Sequence, residues 1–263
     1  MQSESESKPV IPQHDWGFEG PVNVLVLGAR GGVGEAFCKA LLGTEQVMRV
    51  LQTSRDLAWC DGTPDDSREM RVPLDLTSDS SLQAFQDRLR SEDVPLHLIV
   101  NCTGILHGEG LRPERSWAQI ERSAMQHAFD VHATGLALVF QITIDFVPRT
   151  ERSVFASLSA RIGSIDDNRL GGWFSYRASK AAQNMILKTA SIEAARRWPK
   201  MTVVALHPGT VHSNLSAPFS KNLPPDRVFT PEQSVQHLRK VIAGLTPQQS
   251  GSFWAWDGSP ISW

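Results

Sequence analysis

The chain has one tyrosine, three cysteines and no apolar stretch approaching the ~18 residues that a membrane helix needs, so no spanning segment is expected. Cys38, Cys60 and Cys102 are scattered, odd in number and without CxxC spacing. They read as unpaired thiols in a reducing compartment, not as a disulfide framework or a structural zinc site. Charge of one sign is also missing. The 26 Lys plus Arg stand against 28 Asp plus Glu, for a formal net charge of -2, and no long basic run occurs. Nucleic acid is therefore not an expected partner. The N-terminal stretch has neither an apolar signal core nor an Arg-rich amphipathic pattern. Residues 1–20 read as a polar, disordered lead-in, residues 21–263 as one domain, and the cytoplasm is the expected location.

What is present suits a single α/β unit: 263 residues, 41% hydrophobic and 21% charged. Short apolar runs alternate with segments of helical period. Strands are expected over 22–28, 49–54, 71–76, 97–102, 153–159, 201–207 and 252–256. Helices are expected over 33–42, 78–91, 117–146, 175–196 and 230–245, the last opened by Thr230-Pro-Glu. Pro73 suits a short strand or a lenient ladder position. The alternation predicts a Rossmann-type, doubly wound parallel sheet with helices on both faces.

Leu27-Gly-Ala-Arg-Gly-Gly-Val-Gly34 sits where the first strand hands over to the first helix. Gly28, Gly32 and Gly34 fit GxxxGxG, with Arg30 and Val33 between them. Such a turn lets backbone N–H groups approach a pyrophosphate at a helix N-terminus. No Gly-Lys-Ser/Thr closes the motif, which excludes a Walker A loop. The second strand brings a residue to the adenosine ribose roughly 20 residues on. Ser54 occupies that tip, where a carboxylate would repel a 2′-phosphate, and Arg55 is placed to pair with one. NADP(H) is thus expected over NAD(H). Asp56 would reverse the reading if a longer strand pointed it the same way as Ser54.

Tyr176-Arg-Ala-Ser-Lys180 puts a phenol and an ammonium on one helix face, a turn apart. A phenol with its usual pKa near ~10 is a poor acid–base group at neutral pH. A fixed cation nearby favours the phenolate, so the tyrosine can exchange a proton with a carbonyl oxygen while hydride moves at carbon. The remaining lysine donors can hold the nicotinamide ribose. His107 and His127 show no metal-ligand spacing, and no metal is expected.

Together these residues resemble the short-chain dehydrogenase/reductase family, from Val22 to about Trp256. The stretch LSARIGSIDDNRLGGWFSYRASKAAQN and the end FWAWDG are most similar to its C-factor and sniffer-type carbonyl reductases. By position, the resemblance implies cofactor contacts at Gly28, Gly32, Gly34, Asp75, Leu76, Asn101, Gly104, Pro208, Gly209 and Val211. Thr103 in the VNCTG loop and Ser213 after the Pro-Gly turn join them. It implies a homodimer or homotetramer, and a substrate lid over 215–228 with Phe219 covering the substrate. Trp173, just before the catalytic helix, is a further wall to test.

Two positions depart from the family pattern. The family's serine belongs three residues before Gly163, where this chain has Ala160. Ser159 lies one residue earlier, and a shift of one flips a strand side chain to the other face. Ser159 serves only if the strand end bulges or turns; Ser164 is the other candidate. The second departure is His132, where the family has an asparagine supporting a water-linked proton relay. A histidine there would keep the relay and add a titration near neutral pH. The expected function is an NADP(H)-dependent interconversion of a carbonyl and an alcohol, with Tyr176, Lys180, Ser159 and His132 as its catalytic set. The alternative is a nucleotide-binding signalling or regulatory protein with weak turnover on the same scaffold.

Overall fold

A strand covered on both faces needs apolar side chains pointing both ways, and the first strand shows how this chain meets that demand. In the computed structural model, which describes residues 15–108, 111–220, 224 and 227–263, β1 spans Val22–Leu27. Its Leu25 and Leu27 enter one core cluster, while Val24 and Val26 enter the other. The further strands are β2 Val47–Ser54, β3 Glu69–Pro73, β4 Leu98–Asn101, β5 Ser153–Leu158, β6 Met201–His207 and β7 Ser252–Ala255. All pair in parallel, in the order β3-β2-β1-β4-β5-β6-β7. The doubly wound, helix-flanked parallel sheet is therefore as expected. Pro73 ends β3, the edge strand, where a missing N–H is tolerated.

The helices are α1 Gly32–Leu42, α2 Leu57–Cys60, α3 Asp79–Glu92, α4 Arg122–Phe129, α5 Gly135–Thr143, α6 Phe174–Arg197, α7 Ala217–Ser220 and α8 Pro231–Gly244. Phe37 and Leu41 of α1 share one cluster with Leu238 and Ile242 of α8. Phe85 of α3, Leu136 and Val139 of α5 and Leu187 of α6 share the other. The strand order reverses between β1 and β4, and a crevice opens at the carboxyl ends of such strands. The glycine turn, the loop after β4 and the end of β5 all border it.

Two expectations change. The helix expected over 117–146 is broken, because Ile120 and Glu121 are extended and the α-helix starts only at Arg122. It then passes through a π turn, Asp130–Thr134, in which the Gly135 N–H reaches the Asp130 carbonyl. The lead-in expected over 1–20 is also shorter. Residues 1–14 lie outside the described residues, but Trp16 is 1% exposed and Phe18 is buried. The Trp16 indole N–H donates to Thr44 Oγ1 at 3.2 Å, and its ring lies 5.9 Å from Phe37. The segment 15–18 is anchored through side chains that a polar average over twenty residues conceals. Trp16→Ala should therefore cost about 3 kcal/mol in urea or thermal unfolding. A loss below about 1 kcal/mol would show that the segment is not part of the core.

Candidate active site

Gly28 follows β1 in a left-handed conformation, φ +74°. A Cβ at Gly34 would overlap the Gly28 carbonyl oxygen, and one at Gly28 would press on Thr103 at 3.2 Å. The turn is thus closed tightly by residues without side chains. Thr53 holds it from β2: its Oγ1 accepts from the Gly28 N–H at 3.3 Å and its carbonyl from the Ala29 N–H at 2.9 Å. The N-cap of α1, Gly31, brings no side chain to the first turn of the helix, and Val33 lies within that turn. Ser213 packs against this turn, with its Cβ 3.7 Å from where a Cβ of Gly32 would stand. The Pro208-Gly209 segment and the glycine turn therefore face the same crevice.

At the adenosine end, Asp56 lies two residues past the tip of β2 and opens α2. Its carboxylate accepts from the Trp59 N–H at 3.0 Å as the N-cap of α2, and it pairs with Arg30. Ser54 Oγ accepts from the Asp56 N–H at 3.1 Å. Arg55 is exposed. Burial raises the Asp75 carboxyl, but donors from Thr77 and the charges of Arg55 and His127 bring it below the usual range. Asp75 Oδ1 accepts from the Thr77 N–H and hydroxyl at 2.9 and 2.7 Å, and Leu76 beside it is buried.

Asn101 ends β4 with its side chain spoken for. Oδ1 accepts from the Thr103 N–H and hydroxyl at 3.0 and 2.6 Å, and Nδ2 donates to Ser157 Oγ at 3.0 Å. Gln183 Nε2 donates to the same Ser157 hydroxyl at 3.0 Å, and Gln183 Oε1 accepts from Lys180 Nζ at 2.8 Å. Lys180 also donates to the Leu158 carbonyl at 3.1 Å. Burial lowers its pKa to about 7. Its Nζ stands 5.9 Å from the centroid of the Tyr176 ring, and burial holds that phenol well above its usual range. A Cβ at Gly104 would sit 3.5 Å from His132 Nε2 and 3.8 Å from Lys180 Nζ, so the loop after β4 passes directly over both.

His132 is 2% exposed and bonded at both nitrogens. Nε2 accepts from the Ile105 N–H at 3.0 Å, which leaves Nδ1–H to donate to Ser179 Oγ at 2.9 Å. Ser179 in turn donates to the Tyr176 carbonyl at 3.1 Å. Burial, then the charges of Lys180 and His127, push the imidazole pKa well below its ordinary value. The titration near neutral pH expected for this residue is therefore lost, because the site cannot hydrate a cation. Its ring stands edge-on to Tyr176 at 5.3 Å.

The strand end at Ser159 neither bulges nor turns. The Ser159 N–H continues the ladder to the Leu206 carbonyl at 2.7 Å, and Ala160 is extended, φ -141°, ψ 146°. Ser159 Oγ donates to Asn184 Oδ1 at 2.7 Å, within the buried face of α6. Ser164, the other candidate, is buried with its hydroxyl directed at the Trp263 carbonyl, 3.4 Å, and accepting from the Asp167 N–H, 3.2 Å.

Gly209 is left-handed at φ +78°, and a Cβ there would lie 2.7 Å from the Phe229 ring. Ser234 donates to the Pro208 carbonyl at 2.7 Å, and buried Val211 bridges to Phe229. Part of the expected lid, residues 221–223 and 225–226, lies outside the described residues. Its described part includes α7, whose Phe219 stands 4.8 Å from Trp173 and 5.8 Å from His107. Ser157, Ser179 and Gln183 were missed in the sequence; on α6 the latter two share the buried face of Lys180, the signal that could have found them.

A tight glycine turn at a strand end, with a Tyr–Lys pair across the crevice, suits a dinucleotide and proton exchange beside it. Comparison with known proteins identifies the family. The family model described as short chain dehydrogenase matches residues 22–224. The 1-hydroxy-2-glutathionyl-2-methyl-3-butene dehydrogenase of Rhodococcus sp. (strain AD45) is 27% identical over 243 residues, covering 91% of this chain and 99% of that protein. The C-signal of Myxococcus xanthus is 28% identical over 172 residues, 64% of this chain and 93% of that one. The NADPH-bound carbonyl reductase from chicken fatty liver superposes with a TM-score of 0.81 at 25% identity, covering 98% of this chain and 100% of that one. The carbonyl reductase Sniffer of D. melanogaster gives 0.78 at 19% identity, covering 93% and 100%, a likeness of fold. The chain belongs to the short-chain dehydrogenase family and is an oxidoreductase of that family.

Proposed function

We propose that the chain interconverts a carbonyl compound and its alcohol with NADP(H), and that Tyr176 moves the proton. The observation that carries this reading is the Tyr176–Lys180 pair, one turn apart on α6, with the ammonium nitrogen 5.9 Å from the ring centroid and beneath the loop at Gly104. The cradle fits a dinucleotide: the close approach of Gly34 to the Gly28 carbonyl makes a tight turn between β1 and α1, and Gly31 at the N-cap of α1 brings no side chain to the helix start. When bound, the nicotinamide supplies or takes up the hydride at the substrate carbon.

This chain's own groups supply the rest. Burial keeps the phenol protonated in the bare protein, so Tyr176 is ready to donate to a carbonyl oxygen. Burial lowers the Lys180 pKa to about 7, and an anionic dinucleotide favours its charged form. Charged, it stabilises the phenolate left after donation. His132 stays neutral and positions the first turns of α6 through Ser179. With Ser159 bound to Asn184, we assign Ser159 to bracing the strand end and leave carbonyl polarisation to the Tyr176 hydroxyl. Tyr176→Phe should lower kcat by about a thousandfold and leave the Kd for NADPH within about twofold. Ala160→Ser, which restores a hydroxyl on the opposite side of the strand end, should raise kcat by about tenfold. Ser159→Ala should keep kcat within about threefold while losing about 1 kcal/mol of stability. The reverse pattern would make Ser159 the polariser.

Arg55 supports the choice of NADP(H), since Asp56 is engaged by Arg30 and the α2 N-cap and Ser54 brings no charge. Kinetics with both cofactors should show a higher kcat/KM for NADPH than for NADH. Arg55→Ala should lower the NADPH value by about tenfold and leave the NADH value unchanged. Ala160 also favours a second reading, a nucleotide-binding protein with weak turnover. Tight NADPH binding without oxidation across a panel of aldehydes, ketones and quinones would select it.

A further inference from the structure

The chain enters α6 through three consecutive left-handed residues: Gly171, Gly172 and Trp173 have φ of 63°, 67° and 53°. Glycine adopts this conformation freely, but a tryptophan there is strained and persists only where its surroundings fix it. Arg177, one turn into the helix, donates from Nε to the Gly172 carbonyl at 3.0 Å and from Nη2 to the Gly171 carbonyl at 3.2 Å. The Trp173 N–H donates to the Glu114 carbonyl at 2.5 Å.

Trp173 is also the N-cap of α6, and its side chain makes no capping bond there. The acceptor arrives from another segment. Glu114 is 3% exposed, and its carboxylate takes the Ser175 N–H at 3.2 and 3.3 Å as well as the Ser175 hydroxyl. A carboxylate is well matched to the positive end of a helix. Glu114 therefore grips the chain at Trp173 by its backbone and at Ser175 by its side chain, and Tyr176 is the next residue. The Trp173 indole stands edge-on to Tyr176 at 6.2 Å and to Phe219 at 4.8 Å. One ring of that pair is fixed to the strap around Glu114; the other belongs to α7.

We propose that Glu114 is a positioning residue for this site: it sets the placement of Tyr176 and holds the Trp173 indole as the fixed wall of the substrate channel. The proposal rests on the reading of Tyr176 given above. A merely structural carboxylate would lower stability alone. A positioning one also changes turnover and discrimination between substrates at unchanged cofactor affinity.

The test compares Glu114→Ala, Glu114→Gln and Ser175→Ala, with Tyr176→Phe in parallel, using an aromatic and a short aliphatic aldehyde. Glu114→Ala should lower kcat by about tenfold or more and compress the aromatic-to-aliphatic ratio of kcat/KM, with the Kd for NADPH within about twofold. The ultraviolet titration of the single phenol should shift as the half-buried ring loses its fixed place against Trp173 and His132. Glu114→Gln keeps an acceptor for Ser175 and should stay within about threefold of the parent; Ser175→Ala should act as a milder Glu114→Ala. If Tyr176→Phe is inactive while Glu114→Ala keeps the parent's kcat, ratio and phenol titration, the proposal is overturned. An active Tyr176→Phe instead overturns the reading of the tyrosine. Should Glu114→Ala fail to fold, Ser175→Ala decides: parental kcat and ratio in that variant overturn the proposal, and a fall in both supports it.

Discussion

Buried polar groups must find partners, and α6 turns a stripe of them inward: Ser175, Ser179, Lys180, Gln183 and Asn184 are all buried. Leaving one unsatisfied costs roughly 1–3 kcal/mol, so the segments that meet this helix are chosen by hydrogen bonding as much as by packing. Glu114 answers Ser175, His132 answers Ser179, and the Leu158 carbonyl answers Lys180. Ser157 answers Gln183, while Ser159 and the Gly163 carbonyl answer Asn184. The strap after β4, the π turn and the end of β5 are thus located by one helix face. The crevice has its shape because that face is satisfied.

The same network divides the chemistry. Groups that look titratable in the sequence are held in one state by burial: the imidazole of His132 neutral, the phenol of Tyr176 protonated. Of these three groups, Lys180 is the one that burial brings near neutrality, where a bound anion can tip it. That nitrogen is in contact with the backbone of β5 through the Leu158 carbonyl.

Much of this was legible in the sequence. Apolar runs located the central strands β1, β4, β5 and β6, which are buried on both faces, while the edge strand expected over 71–76 lies at Glu69–Pro73, where burial is partial. The 201–207 strand matches β6 residue for residue. The four-residue spacing of Tyr176 and Lys180 held because a long helix has one period throughout. What escaped depends on contacts distant in sequence. The engagement of Asp56 requires Arg30, the loss of titration at His132 requires its burial between the loop after β4 and α6, and the burial of Trp16 requires Phe37 and Thr44. Ser159 was legible as a problem of alternation but not in its outcome, since its partner lies 25 residues away on α6.

The π turn at Asp130–Thr134 carries a consequence for how this chain tolerates deletion. It holds one residue more than an α-helix needs for the same rise, and His132 sits inside it. Removing a single residue would let α4 and α5 fuse into one regular helix, a change that local backbone energetics would welcome. It would also rotate one helix against the other by about 100°, the twist of one helical residue. The imidazole would then lose either the Ile105 amide or the Ser179 hydroxyl. The irregularity is a phase shift that lets one half of the segment pack on the sheet while the other half faces α6.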